Sequence, residues 1–239
     1  MDIRLDEGYW FGLGVFETIA VENGKAVLLV EHLQRLERGI REFNLKMDAD
    51  KAQIARYLEQ HPMAHGVMKI AVSDENMILT HRQNPYGAQQ FHKGFRGMFS
   101  RVIRNETSSL TYHKTLNYGD CILEKRKALE DGYDEFVFCN SKGEICEGTS
   151  SNIFFVKDHV VYTPELSCGL LPGIIRGYLL ETENIVETVI LPREISGYEE
   201  CFLTNSLMGI MPVTSLDGYT FPKREIADTW NQKFWKNME

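Results

Sequence analysis

The 239-residue sequence predicts an α+β protein made of two small lobes. Apolar runs of period 2 are mixed along the chain with runs of helical period, and no internal repeat or low-complexity tract interrupts them. A polar stretch, Arg104-Asn105-Glu106-Thr107-Ser108-Ser109, separates structured segments on either side. The boundary is expected there, giving a smaller α/β lobe over 1–105 and a larger lobe over 106–239.

The elements follow in order. After the glycine-spaced run Gly12-Leu13-Gly14, residues 15–21 read as a strand and Asn23-Gly24 as a tight turn. Residues 26–30 read as the hairpin partner. A helix comes next, because Leu33, Leu36, Ile40 and Phe43 recur at spacings that share one face. Residues 67–73 and 77–81 form a second hairpin around Asp74-Glu75-Asn76, and 98–103 a further strand. Beyond the polar stretch a helix runs from about Tyr118 to Glu130 and closes on Gly132. Strands follow at 136–139 and 153–156, and Lys157-Asp158-His159 turns into another at 160–163. Pro172-Gly173 opens a short helix, and the last helix presents Ala227, Trp230 and Phe234 at helical spacing.

Composition excludes several classes. With 43% hydrophobic and 25% charged residues the chain is an ordinary globular one, not a disordered one. No apolar run reaches the roughly 18 residues that span a bilayer, and the charged start Met1-Asp2-Ile3-Arg4-Leu5-Asp6-Glu7 lacks a signal-peptide core. The five cysteines (Cys121, Cys139, Cys146, Cys168, Cys201) are odd in number and contain no Cys-x-x-Cys pair. That usage suits a reducing compartment, so a cytoplasmic protein is expected. A net charge of −8 argues against nucleic acid as a partner. His61 and His65 are four apart, but Pro62 between them spoils a metal-binding helix, and no metal is expected.

Four positions could carry chemistry, and each has a plain reading beside it. Lys114, in Tyr112-His113-Lys114-Thr115-Leu116-Asn117-Tyr118, sits where the linker re-enters structure; a nucleophilic lysine must be partly desolvated, whereas most lysines are solvated. Glu147, in a strand before Gly148-Thr149-Ser150-Ser151-Asn152, is a carboxylate that needs a partner, which an arginine alone could supply. Leu171-Pro172-Gly173-Ile174-Ile175-Arg176 feeds a helix start whose unpaired N–H groups suit a phosphate, or it simply ends a loop. Arg35, next to Leu36 and off the centre of the apolar stripe, reads by itself as a solvated helix arginine.

Taken together and in order, these motifs carry a resemblance. The run Gly12 to Thr18, His32-Leu33-Gln34-Arg35-Leu36, Lys114-Thr115-Leu116-Asn117-Tyr118, Glu147 to Asn152, Leu171 to Arg176, and Asn205-Ser206-Leu207-Met208-Gly209-Ile210-Met211-Pro212-Val213 resemble the class IV aminotransferases. That family includes branched-chain and D-amino acid aminotransferases and 4-amino-4-deoxychorismate lyase.

The resemblance implies the two-lobed D-amino acid aminotransferase-like fold (fold type IV) and pyridoxal 5'-phosphate as cofactor. It assigns Lys114 the Schiff base, Glu147 the pyridine nitrogen and Tyr118 the ring hydroxyl. Arg35, the backbone amides of Ile174 and Ile175, and Asn205 or Ser206 fall to the phosphate. Phe16 and Arg82 are implied on the substrate side, Arg82 in a loop that reaches a neighbouring subunit; its plain reading is a solvated hairpin-end arginine. A small-molecule amino substrate and a homodimer are implied with them.

The chain departs from the pattern in two ways. Ile175 stands where the aminotransferases often carry a threonine, and the sequence starts late, which implies a trimmed first lobe whose edge a partner subunit covers. The versions of the motifs at Gly173–Arg176 and Asn205–Val213 lean toward the lyase, which would give 4-aminobenzoate and pyruvate on the folate route. A transaminase acting on branched-chain or D-amino acids is the alternative. A ligand-binding scaffold without turnover is a third reading, opposed by the presence of both Lys114 and Glu147.

Overall fold

A computed structural model of the chain describes residues 2–238. They divide into two compact units, one running up to Pro85 and including His113–Tyr118, the other comprising Tyr86–Tyr112 and Gly119–Met238.

The first unit contains α1 (Glu7–Phe11), β1 (Val15–Glu22), β2 (Lys25–Ala26), α2 (Leu29–Glu42), α3 (Lys51–Gln60), β3 (His65–Val72) and β4 (Met77–Gln83). Its strands are ordered β2-β1-β3-β4, all antiparallel, with β1 registered on β3 from Val15↔Val72 to Glu22↔His65. Side chains alternate across a strand, so Val15, Ile19 and Val21 join Met68, Ile70 and Val72 on the face that meets Leu33, Leu36 and Ile40 of α2. Burying each of those leucine and isoleucine side chains contributes about 1.5–3 kcal/mol. On the other side of β1, Phe16 and Ala20 are buried as well.

The hairpin turn at Asn23-Gly24 has positive φ at both residues, 51° and 80°, the handedness that matches strand twist. The expected partner strand over 26–30 is cut to Lys25–Ala26. Leu28 adopts a left-handed conformation that ends the ladder, and α2 starts at once. Val30, 63% exposed, has no place on a buried strand face, so the helical period prevails.

In the second unit lie α4 (Ala88–Lys93), β5 (Phe95–Arg104), α5 (Gly119–Glu130), β6 (Glu135–Asn140), β7 (Ile145–Gly148), β8 (Asn152–Lys157) and β9 (Val160–Pro164). The chain continues through α6 (Ile174–Thr182), β10 (Ile185–Thr188), β11 (Glu200–Asn205), β12 (Gly209–Leu216), β13 (Tyr219–Thr220) and α7 (Glu225–Met238). One mixed sheet runs β10-β9-β8-β11-β12-β5-β6-β7, with β13 attached to β12. Val137, Ile145, Ile153, Phe155, Leu203, Met211 and Val213 form much of its core. Phe154 and Phe202 stack in parallel, 4.9 Å between centroids, and the Trp230 ring of α7 meets Phe202 edge-on.

The boundary expected within Arg104–Ser109 is displaced. β5 pairs in parallel with both β6 and β12, so it belongs to the second unit's sheet, and the chain crosses at Pro85 instead. The chain returns to the first unit for the six residues His113–Tyr118, a crossing that no composition change marks. Among the described residues no helix is long and apolar enough to cross a membrane.

Candidate active site

The returning segment is fastened to the start of β1. Phe16 N donates to Lys114 O at 2.8 Å and Leu116 N to Gly14 O at 2.9 Å, with an antiparallel bridge between Val15 and Thr115. Two short stretches far apart in sequence are thereby locked in register, and Lys114 is held beside Phe16. Its Nζ lies 4.5 Å from the centroid of the Phe16 ring and 4.7 Å from that of Tyr118. The two rings meet edge to face at 5.2 Å. Lys114 is half-buried, not solvated as most lysines are. Cation–π contact and aromatic walls make this a partly desolvated seat for an amine.

Behind β1, Glu17 is fully buried and meets two side chains of α2. Arg35 donates through Nε to Oε1 and through Nη2 to Oε2, both at 2.7 Å, and His32 Nδ1 lies 2.6 Å from Oε2. Burial opposes the charge on Glu17, but Arg35 and His32 overcome it and hold the carboxyl at about 2. Burial moves His32 the other way, below its ordinary range despite Glu17. The plain reading of Arg35 as a solvated helix arginine is corrected: it is 7% exposed, because its partner Glu17 lies inside the sheet–helix interface. Arg82, at the end of β4, is exposed and donates to the Gln83 carbonyl at 3.1 Å.

The second unit holds the remaining expected residues. Glu147, in β7, is 5% exposed and doubly engaged: Arg104 Nη2 stands 2.8 Å from Oε1, and Leu171 N donates to Oε2 at 3.0 Å. The plain reading of this carboxylate as an arginine's partner thus describes a real contact. Sequence reasoning missed Arg104 because it assigned that residue to a polar linker; it is in fact the last residue of β5.

Beyond Glu147 the chain turns sharply. Glu135 holds this turn by accepting from Thr149 N at 3.1 Å, from the Thr149 hydroxyl, and from Ser151 Oγ at 3.3 Å, with Lys125 Nζ at 3.2 Å as countercharge. Asn152, at its end, donates to Leu171 O at 2.9 Å and so ties the turn to the approach of α6. Gly173 is the N-cap of α6 and no side chain caps the helix. A Cβ at Gly173 would collide with Asn152 Oδ1, so only glycine lets the two segments approach this closely. Ile174 and Ile175 start the helix with buried side chains, and the first backbone amides of such a helix lack intrahelical acceptors. Arg176 turns away to Pro164 O and Glu187. Asn205 uses its carboxamide on the turn after β11, accepting from Leu207 N and Met208 N at 2.9 and 3.0 Å; Ser206 beside it is half-buried. The hydroxyl of Thr204, 1% exposed, has no hydrogen-bond partner among the described residues.

Phe16, Arg35, Arg82, Lys114 and Tyr118 thus belong to the first unit, and Glu147, Ile174, Ile175, Asn205 and Ser206 to the second. Within the first, Lys114, Phe16 and Tyr118 are brought together; within the second, Leu171 links Glu147 to the start of α6. These features fit a phosphorylated pyridine aldehyde. An uncapped helix start with a glycine at its mouth suits a phosphate, a buried carboxylate suits a ring nitrogen, and a half-buried amine suits an aldehyde carbon.

The chain is similar to known proteins along most of its length. The aminodeoxychorismate lyase of Bacillus subtilis (strain 168) is 25% identical over 238 residues, covering 89% of this chain and 80% of that protein. The D-alanine aminotransferase of Bacillus licheniformis is 28% identical over 238 residues, covering 90% and 83%. The crystal structure of a putative 4-amino-4-deoxychorismate lyase from Legionella pneumophila superposes with a TM-score of 0.87 at 25% identity, covering 100% of this chain and 96% of that one. The family model described as Amino-transferase class IV matches residues 14–216. The chain belongs to the class IV aminotransferases and has their fold type IV architecture, and it is an enzyme of this pyridoxal-phosphate-dependent family.

Proposed function

We propose that this enzyme is a 4-amino-4-deoxychorismate lyase, releasing 4-aminobenzoate and pyruvate on the route to folate. The observation that carries the chemistry is the seat of Lys114, a half-buried amine walled by Phe16 and Tyr118. The lean toward the lyase comes from the start of α6, where Gly173-Ile174-Ile175 offers backbone N–H groups and no hydroxyl in the first turn. It comes also from Asn205-Ser206-Leu207-Met208-Gly209-Ile210-Met211-Pro212-Val213, which lacks the Glu-Ile-Thr-Pro-Val ending common in the aminotransferases. Lyases among the matched proteins support it.

In this reading Lys114 would hold the aldehyde carbon of the cofactor, Glu147 would serve the pyridine nitrogen and Tyr118 the ring hydroxyl. Arg35, the amides of Ile174 and Ile175, and Asn205 or Ser206 would hold the phosphate. When bound, pyridoxal phosphate supplies an electron sink for bond cleavage next to the substrate nitrogen. Arg104 provides Glu147 with its countercharge, so the carboxylate stays oriented by two fixed donors. Glu17 fixes the guanidinium of Arg35 through two of its nitrogens. Lys114 Nζ would serve as the base that takes a ring proton from the substrate. Lys114 would return that proton to the methylene carbon of the enolpyruvyl group as its C–O bond to the ring breaks, so that pyruvate leaves complete. Aromatisation drives the step, so orientation is the main demand on the protein.

The same reading takes the enzyme as a cytoplasmic homodimer. The odd number of widely spaced cysteines supports the compartment, and the exposed Tyr9, Trp10 and Phe11 of α1 support an interface. A transaminase acting on branched-chain or D-amino acids is the second reading, favoured by the 28% identity to the D-alanine aminotransferase. Incubation with 4-amino-4-deoxychorismate, against an amino acid plus 2-oxoglutarate, separates the two. The lyase reading expects 4-aminobenzoate and pyruvate in equal amounts; amino transfer without 4-aminobenzoate would overturn it.

A further inference from the structure

One face of the first unit's sheet packs on α2 and α3; the opposite face carries a cation that the sequence motifs did not single out. Thr18 pairs with Lys69, and Lys69 with Thr80, so these three residues share that opposite face. Phe16, registered on Ala71, and Arg82, registered on Val67, lie on it too. Lys69 Nζ stands 4.5 Å from the centroid of the Phe16 ring, the same distance as Lys114 Nζ from that ring. The two nitrogens are therefore within twice that distance of each other. Among the described residues no carboxylate pairs with Lys69 or with Arg82, while Lys125, Lys93 and Lys223 of the second unit each have one. Burial, and then the charge of Arg82, hold the Lys69 ammonium below the usual lysine range. A cation set against an aromatic ring and another cation, with no counter-ion of its own, is suited to an anion supplied from outside.

We propose that Lys69 is a specificity-determining residue whose ammonium takes a carboxylate of the substrate. It would favour amino substrates that carry an anionic group on the side remote from the reacting nitrogen over neutral ones. The inference rests on the reading of Lys114 as the amine at which the substrate reacts. The shared Phe16 ring then sets the span between the reacting nitrogen and the carboxylate. Arg82 adds positive potential on the same face.

The test uses the holoenzyme and three forms of position 69: wild type, Lys69→Gln and Lys69→Arg. Each is titrated calorimetrically with isophthalate, a benzene dicarboxylate, and with benzoate. Loss of a charge-assisted bond weakens isophthalate by about tenfold or more in Lys69→Gln while benzoate changes by less than about twofold, and Lys69→Arg keeps the wild-type preference. With 4-amino-4-deoxychorismate, Lys69→Gln raises KM by about tenfold and leaves kcat within about threefold, as expected for a contact made equally in ground and transition states. Equal weakening of both ligands in Lys69→Gln, or no weakening of isophthalate, overturns the proposal. Borohydride labelling of Lys114, run on the same samples, tests the underlying reading separately. If Lys114 is not labelled that reading falls, whereas the calorimetry still reports whether Lys69 holds the second carboxylate.

Discussion

Arg104 stands 2.8 Å from the carboxylate of Glu147, joining the end of β5 to β7 in a largely buried ion pair. Such a pair gives little net stability when intact, yet breaking it from one side leaves an uncompensated charge inside the protein. Arg104→Leu is expected to destabilise the protein by about 3 kcal/mol, close to the lower end for a broken buried pair. Urea denaturation followed by circular dichroism measures this. The variant should also bind cofactor more weakly, because Glu147 then loses a donor that orients its carboxylate. Unchanged stability would mean that water or another cation replaces the guanidinium.

Glu17 gives a pH prediction with a fixed sign. Its folded-state carboxyl is held at about 2 against an ordinary value of 4.5. The depressed value means that the unfolded chain binds the proton first as pH falls, so the contribution of Glu17 is complete above pH 4.5 and is lost toward pH 2. His32 works in a higher window. Its folded value is lowered from 6.5, so stability also declines as pH drops below that point. Denaturation midpoints of wild type and Glu17→Gln, taken from pH 7 to pH 2, should differ most at neutral pH and converge in acid. A gap that widens in acid would contradict the assignment.

Gly173→Ala tests the close approach before α6. The added Cβ meets Asn152 Oδ1, so either the Asn152–Leu171 hydrogen bond is lost or the mouth of the helix shifts. Overpacking of this kind costs about 1–3 kcal/mol, and pyridoxal phosphate should dissociate more readily from the variant. Equilibrium dialysis of the cofactor measures the second effect, and an affinity equal to wild type would remove Gly173 from the phosphate site.

How much of this was legible in the sequence depends on whether a residue's partner lies near it in the chain. The Asn23-Gly24 turn, the Leu33–Leu36–Ile40 face and the Pro172-Gly173 helix start are local patterns, and all appear where expected. Lys114 and Glu147 were legible as members of ordered motifs. Their immediate partners were not: Arg104 is 43 positions from Glu147, and Phe16 is 98 positions from Lys114, so no spacing rule connects them. Arg35 looked like a surface residue because its burial depends on Glu17, whose strand neighbours Phe16 and Thr18 also read as ordinary sheet residues. α3 escaped notice because Ile54 is its one buried residue among those described, too few to make a stripe. The unit boundary was misplaced for a similar reason, since strand pairing, which composition does not reveal, puts β5 with the second unit.

The central claim is that Lys114 is the amine that holds the cofactor. Reduction of the holoenzyme with borohydride, followed by peptide mapping, tests it directly. The account predicts one pyridoxyl-modified peptide, containing Tyr112-His113-Lys114-Thr115-Leu116-Asn117-Tyr118, and no covalent label in Lys114→Ala. A label on Lys69 or any other lysine of the wild-type enzyme, or a chromophore still covalently bound in Lys114→Ala, would contradict it.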